Sequence, residues 1–488
     1  MSAILPTLYI LTVAAMSVYG VMGLLTAWLY WRHRHDQFPC PTVDDADLPA
    51  VTVQLPIFNE RFVVERLIQT AVSLDYPRDR LQIQVVDDST DDTTAKAAVC
   101  VRRYQAQGVN IQLVHRNHQH GYKAGALSHA LASTEGAYVA IFDADFLPPA
   151  NFLRQTIPHF LTNPHLGLIQ GRWGHLNPDD SPLTAAQAIA MDKHFAMDQT
   201  VRFRANLFPK FNGTAGVWRR SCMESVGGWH DDTVCEDLCL STRAVLHGWQ
   251  FRMLNDVVAP AELPNTITAF KNQQGRWAKG ATQCLLKFGW QILRDRHHSL
   301  LARFYALVSL SAYIHHLLMI MLLLLQIPLL LLNYRFSPGM LLFSLVGLGQ
   351  PLLFVLAQRV LHPNWRQRLR HFPTLLVLAV GLSANNGRSV LQAIFGHTHP
   401  FIRTPKGRGT DATHYFLGFD NIVWVELFLL LYALFGLLLA LWQQNLGPMF
   451  LLLSCILGFG TTALLSLREA KVQRLVMEEG IGHATDYL

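Results

Sequence analysis

The sequence has no G-x-G-x-x-G and no P-loop pattern, which argues against a dinucleotide fingerprint or a phosphate-loop NTPase. It has no C-x-x-C pair either. Cys235 and Cys239 lie one helical turn apart, but no further ligands complete a tetrahedral zinc set. The seven cysteines therefore read as reduced, structural thiols. Charge is sparse, at 15% of residues and a net +6, and no basic stripe is interleaved with aromatics, so nucleic acid is not an expected partner. Repeats and low-complexity segments are also missing.

What the chain does have is apolar length. Half of its 488 residues are apolar, enough chain for two or three domains, and those residues are unevenly spread. Residues 5–31 carry no charge, and 305–333, 339–357, 422–442 and 446–467 nearly none. About 20 such residues suffice for a helix to cross a bilayer. The first run has no basic n-region, is long, and is followed by Trp31-Arg32-His33-Arg34. It reads as a retained anchor with its basic end in the cytoplasm. Segment 372–396 is interrupted by Asn385-Asn386-Gly387-Arg388, and a charge in mid-membrane is costly, so a re-entrant or interfacial hairpin is expected there. Five spans then leave Arg366, Arg368 and Arg370, Arg403, Lys406 and Arg408, and Arg468, Lys471 and Arg474 on the cytoplasmic side. His315 and His316 fall within a span, as channel lining or as histidines satisfied between helices. The plan is an anchor (1–35), a soluble domain (36–265), interfacial helices (266–304), a membrane domain (305–468) with a cytoplasmic loop (397–421), and a cytoplasmic tail (469–488).

Within the soluble part, short apolar runs at 51–55, 81–86, 111–114 and 137–142 alternate with helical stretches. That alternation predicts a mostly parallel sheet covered on both faces. Ligands bind such sheets beyond the strands' carboxyl ends, where the polar clusters fall.

Asp143-Ala144-Asp145 follows a buried strand. Two carboxylates at i and i+2 on an extended segment face one side and offer hard oxygens to Mg2+ or Mn2+; a solvated loop is the plainer alternative. Asp87-Asp88 ends another strand, suited to a nucleotide or to metal support, while Ser89, Asp91 or Asp92 suits a helix cap. Glu236-Asp237 fits a general base or acidic residues at a helix N-terminus. Gln273, Arg276 and Trp277 share a helix face, for sugar stacking and diphosphate clamping or for membrane-interface anchoring. Lys123 lies near a helix start that favours phosphate, or is an ordinary surface lysine. His115, His118 and His120 read as a solvated loop.

Taken in order, Asp87-Asp88, Asp143-x-Asp145, Cys235-Glu236-Asp237 and Gln273-x-x-Arg276-Trp277 resemble glycosyltransferase family 2, in its cellulose-synthase-like branch. Segments 54–60, 86–91, 121–127 and 211–219 look most like cellulose-synthase-like A proteins, the β-mannan and glucomannan synthases. The resemblance spans roughly 50–290, with Cys235 in place of the usual Thr or Val. It implies a GT-A, Rossmann-like α/β domain fused to a helical transmembrane domain, and inverting transfer of a hexose from GDP-mannose or UDP-glucose to a β-1,4-linked polysaccharide. It also implies that Asp87 and Asp88 hold the nucleotide, and that Asp143 and Asp145 hold the metal and diphosphate. Asp237 would be the base beside Glu236, and Trp277 would pack on the acceptor sugar. Glu60, Lys123, Arg403 and Lys406 fall on the donor side by the same likeness, and Gln273, Arg276, Asn212 and Gly213 on the acceptor side. Residues 401–406 resemble a loop that covers the donor pocket in processive members. The alternatives are a non-processive transferase making a glycolipid, as ceramide glucosyltransferase relatives do, and a membrane scaffold with a degenerate transferase domain.

Overall fold

The computed structural model describes residues 4–36, 38–116, 119–335, 341–396 and 420–479. Arg403 and Lys406 lie outside the described residues, as does nearly all of the expected loop 397–421.

Among the described residues, seven strands form one sheet: β1 (Val51–Ile57), β2 (Leu81–Asp87), β3 (Ile111–His115), β4 (Tyr138–Ile141), β5 (Leu166–His175), β6 (Gly216–Arg219) and β7 (Gln250–Ala261). Their order is β3-β2-β1-β4-β6-β5-β7. The first four are parallel, as the alternation predicted. Short β6 runs antiparallel to both β4 and β5, so the sheet is mixed. Val51 pairs with both Leu81 and Tyr138, which starts β1, β2 and β4 level and brings their carboxyl ends out along one edge.

Burial on both faces explains the near-continuous apolar runs. One core collects Val53, Leu55, Ile83, Val85 and Phe142; the other collects Val139, Ile141, Leu168 and Trp218. The polar residues that interrupt β1 and β2 are satisfied across the strands: Thr52 donates to Gln82 at 2.7 Å and Gln54 to Gln84 at 2.9 Å.

Among the described residues, four helices are long and apolar enough to cross a membrane: Ile4–His33, Ile314–Leu331, Ile422–Trp442 and Met449–Leu475. The span expected at 339–357 falls instead on the shorter apolar helix Leu345–Leu361. The N-terminal helix meets that segment backbone to backbone. A side chain on Gly349 would collide with the Gly20 carbonyl, and one on Gly23 would lie 2.8 Å from the Gln350 amide.

The segment read as a hairpin is a nearly continuous helical run. Phe372–Gly381 passes into Ser383–Ile394 through Leu382, which keeps helical dihedrals (φ −67°, ψ −8°) and still bonds the Leu378 carbonyl at 2.9 Å. The polar residues that suggested a turn are paired instead. Arg388 holds Asp420 through two bonds of 2.7 Å, and Asn385 donates to the Lys271 carbonyl at 2.8 Å. Lys271 itself is buried against Glu426 at 2.7 Å and Ser466 at 2.8 Å.

These contacts seat the helix Ile267–Arg294, which links the sheet to the membrane helices. Its first turn is capped twice. Thr266 accepts from the Ala269 amide at 3.2 Å, and Glu469 of the last helix accepts from the Ile267 and Thr268 amides at 2.6 and 3.0 Å. The helix thus begins six residues before Gln273.

Candidate functional site

Lys123 is the centre of the carboxylate cluster. It stands in the first turn of the helix Tyr122–Leu131, behind Gly121 at φ +74°. Its ammonium donates to Asp143 Oδ1 at 2.6 Å and to the Gly213 carbonyl at 3.0 Å, and lies 3.7 Å from Glu236. Burial works to lower the Lys123 pKa, but Asp143, Glu236 and Asp237 outweigh it and hold the group above its usual range. Gly213 has φ +82°, and a Cβ there would lie 3.0 Å from Asp237 Oδ2, so a left-handed glycine lets the loop pass this close.

Glu236 and Asp237 open the helix Glu236–Leu246, where the dipole favours their charge. Asp237 nevertheless has its pKa pushed up to about 7, first by burial and then by Glu236, against the opposing pull of Lys123 and the Leu238 amide. A carboxylate so tuned accepts a proton well near neutral pH. Behind it, Cys235 packs on Gly280, which brings the helix Ile267–Arg294 against the triplet.

Asp143 and Asp145 follow β4 in a turn closed by the Phe146 amide on the Asp143 carbonyl at 3.0 Å. The expected extended pleat is absent; the turn, not strand alternation, aims both residues at one cavity. Their hard oxygens suit Mg2+ or Mn2+. Asp143 Oδ1 is taken by Lys123, while its Oδ2 has no protein partner among the described residues. Three carboxylates around one ammonium leave the wall net negative, as a divalent cation requires. A second cluster, His230, Asp232 and Cys239, is compact enough for an ion, but Lys287 bonds Asp232 and lies 3.4 Å from Cys239 Sγ, so an ammonium already sits there.

Asp87 and Asp88 differ from each other. Asp88 lines the cavity and is gripped bidentately by Arg116, through Nε at 2.7 Å and the second nitrogen closer still. Asp87 is fully buried, does not line the cavity, and is saturated by the Ser89 amide (2.9 Å), Thr94 (2.6 Å) and His115 (2.9 Å). Of the two residues expected at the nucleotide, only Asp88 stands on the cavity wall; the Asp87 oxygens hold the loop behind it. His115, read as solvated, is part of that hold.

The cavity has a volume of about 1520 Å3. Glu60, Asn212, Gly213, Gln273, Arg276 and Trp277 line it together with the carboxylates. Asn212 is fixed by Gln199, and its amide lies 2.9 Å from His194. The far end of the cavity reaches Tyr19, Met319 and Phe450 of the apolar helices. His315 and His316 also line it, and His316 is satisfied between helices by Ser383 at 3.1 Å and Asn386 at 2.9 Å. Arg116, Gln199 and His194 escaped the sequence reading, for each gains its place only through a partner elsewhere in the chain.

Residues 52–221 match the model of Glycosyl transferase family 2, and residues 138–357 that of Glycosyl transferase family group 2. The chain carries a glycosyltransferase family 2 domain. It is 39% identical over 302 residues to glucomannan 4-beta-mannosyltransferase 2 of Arabidopsis thaliana, covering 60% of this chain and 57% of that one. It is 42% identical over 271 residues to glucomannan 4-beta-mannosyltransferase 1 of Oryza sativa subsp. japonica, covering 54% and 52%. The chain thus spans somewhat over half the length of these relatives. A mannosyltransferase from Pyrobaculum calidifontis, solved in complex with GDP-Man and Mn2+, superposes with a TM-score of 0.51 at 20% identity, covering 79% of this chain and 99% of that one. That likeness establishes the GT-A fold of the family 2 domain.

Proposed function

We propose that the protein is a membrane-embedded, inverting glycosyltransferase that adds hexose from a nucleotide sugar, GDP-mannose foremost, to a growing β-1,4-linked polysaccharide. The observation that carries this reading is the single cavity joining the Lys123 carboxylate cluster, the Gln273-Arg276-Trp277 face and the apolar helices. The mannosyltransferase relatives favour mannose as the transferred sugar.

Asp143 and Asp145 are the residues that would hold a divalent cation, which supplies charge compensation to a leaving nucleoside diphosphate. Lys123 adds a fixed positive charge beside them. Asp88 and Arg116 shape the nucleotide side, with Asp87 holding their loop. Asp237 takes the proton from the acceptor hydroxyl as that oxygen attacks the anomeric carbon from the face opposite the diphosphate, which inverts the centre. Trp277 offers a ring to the acceptor sugar, and Gln273 and Arg276 fix its approach. Extension of the cavity among the apolar helices supports a processive enzyme that passes its product through the membrane. The basic groups at 366–370 and 468–474 support a catalytic domain on the cytoplasmic side.

The test is donor turnover by purified protein with Mg2+ or Mn2+, offering GDP-mannose, UDP-glucose and UDP-N-acetylglucosamine separately and sizing the product. A long polymer from GDP-mannose, removed by β-mannanase, is expected. A single sugar on a lipid would replace this reading with the glycolipid one, and no turnover of any donor would leave the fold alone.

A further inference from the structure

One helix on the cavity wall changes its winding. Pro182–Lys193 is α-helical, His194–Gln199 is a π-helical turn, and Thr200–Arg204 resumes the α form. The Thr200 amide reaches back to the Phe195 carbonyl, the bond that defines the wider turn. Such turns are rare and recur at functional sites. This one carries His194 and Asp198 on the cavity wall, with Lys193 just before it.

Donor and acceptor roles fix the His194 proton. Arg202 can only donate, and it donates to Gln199 Oε1 at 2.9 Å. Gln199 must then turn its amide nitrogen the other way, where it donates to the Lys210 carbonyl at 2.9 Å and to Asn212 Oδ1. With that oxygen taken, Asn212 offers its Nδ2 to His194 Nε2 at 2.9 Å. A neutral imidazole that accepts at Nε2 carries its hydrogen on Nδ1. Burial, and then Arg202, push the His194 pKa down to about 3, so the ring stays neutral and keeps that tautomer.

The His194 Nδ1–H has no hydrogen-bond partner among the described residues. Asp198 Oδ2 lies 4.0 Å from it, too far for a direct bond. Lys193 holds that carboxylate at 2.8 Å. Burial works to raise the Asp198 pKa, but Lys193 and then Arg202 outweigh it and keep the group an ionised acceptor. A donor and an acceptor 4.0 Å apart admit one hydroxyl oxygen at about 2.8 Å from each, accepting from the imidazole and donating to the carboxylate. The carboxylate disfavours an anion at this place, and Lys193 and Arg202 disfavour a cation. A neutral hydroxyl is the ligand chemistry that remains.

Location says whose hydroxyl it is. Asn212 is followed by Gly213, whose carbonyl holds Lys123 and whose α-carbon passes close to Asp237. His194 and Asp237 thus flank two consecutive residues of one loop. We propose that His194 and Asp198 form a hydroxyl-recognition subsite for the acceptor, holding a sugar hydroxyl other than the one that Asp237 deprotonates. The proposal rests on the transferase reading above and names how the acceptor is oriented.

The test separates the two nitrogens of His194. In His194→Gln the side-chain amide reaches the Nε2 position and keeps an acceptor for Asn212, but the Nδ1 donor is lost. In His194→Asn the amide stands at the Nδ1 position and keeps that donor, but releases Asn212. Full-length protein in detergent is given GDP-mannose, Mn2+ and varied β-1,4-mannotetraose, and mannotetraose binding is also measured by calorimetry without donor. His194→Gln should raise both KM and Kd for mannotetraose about tenfold, the scale of one hydrogen bond to a partly charged site, with the KM for GDP-mannose and the Tm near wild type. His194→Asn should keep the mannotetraose values closer to wild type. A larger loss in His194→Asn than in His194→Gln would make His194 a support of the Asn212 loop and overturn the subsite, and so would equal effects. If His194→Gln fails to fold, Asp198→Asn decides: it should raise the same KM about tenfold, and an unchanged value would overturn the subsite. Mannotetraose binding that His194→Gln weakens, in a protein that turns over no donor, would sink the transferase reading and keep the subsite. Donor turnover with mannotetraose neither bound nor extended would sink the subsite and keep that reading. Neither binding nor turnover would sink both.

Discussion

The two strand-end carboxylate groups use the same residue type to opposite ends. At the end of β2, Asp87 and Asp88 are held by His115, Thr94, Ser89 and Arg116. After β4 and at the helix Glu236–Leu246, Asp143, Glu236 and Asp237 share one ammonium, Lys123. The first group is held by donors on every side and stabilises its loop. The second holds excess negative charge, and such an excess persists at a site that must meet a cation or move a proton. Satisfaction, rather than residue type, separates scaffold from chemistry here.

The largest effect should come from Asp237. Replacing it with Asn keeps the shape and removes the proton acceptor, so turnover should fall by about 10^2 to 10^4-fold. Because burial and Glu236 oppose its ionised form, the same change should leave Tm equal or higher near pH 8. A variant that loses both activity and stability would place Asp237 with the scaffold group.

Asp143→Asn should lower turnover by roughly 10^2-fold, the scale of losing one well-placed electrostatic group. Chelation should abolish wild-type turnover, with Mn2+ or Mg2+ restoring it. Chelator-insensitive turnover would remove the metal from the Asp143 and Asp145 turn.

At the β2 end the expected loss is stability. Arg116→Met leaves Asp88 buried and unpaired, which should cost about 3–5 kcal/mol. Adding Asp88→Asn should recover much of that loss, measured by denaturant unfolding. Additive losses would mean that the pair does not interact as the geometry requires.

The same contrast sets the limit of what the sequence discloses. Parallel strands ending in acidic pairs were legible, because strand and helix periods alternate and because buried parallel strands read as continuous apolar runs. The antiparallel direction of β6 was not, since the four residues Gly216–Arg219 pack alike either way. Asp87 looked as available as Asp143, because His115, which occupies it, is 28 positions away. Arg388 in an apolar run read as a turn; its partner Asp420 is 32 positions further on. Arg202 and Lys210 converge only through Ser309, 107 and 99 residues distant. Motifs report where polar groups emerge, while their satisfaction is decided by tertiary pairing.

The mildest prediction is also the most direct test of that distinction. The pH dependence of kcat/KM reports ionisations in the free enzyme. Asp237 must be ionised to act, so kcat/KM should fall as pH drops through about 7, well above the range of an ordinary carboxyl. Glu236 is the second cause of that elevation, after burial. Glu236→Gln removes a neighbouring negative charge, makes the Asp237 carboxylate easier to form, and should move the acidic limb to lower pH with a smaller change in its plateau. Were Asp237 an ordinary carboxyl, the limb would lie well below 7 and would not respond to Glu236. A limb near 7 that stays put in Glu236→Gln would assign the ionisation to a different group.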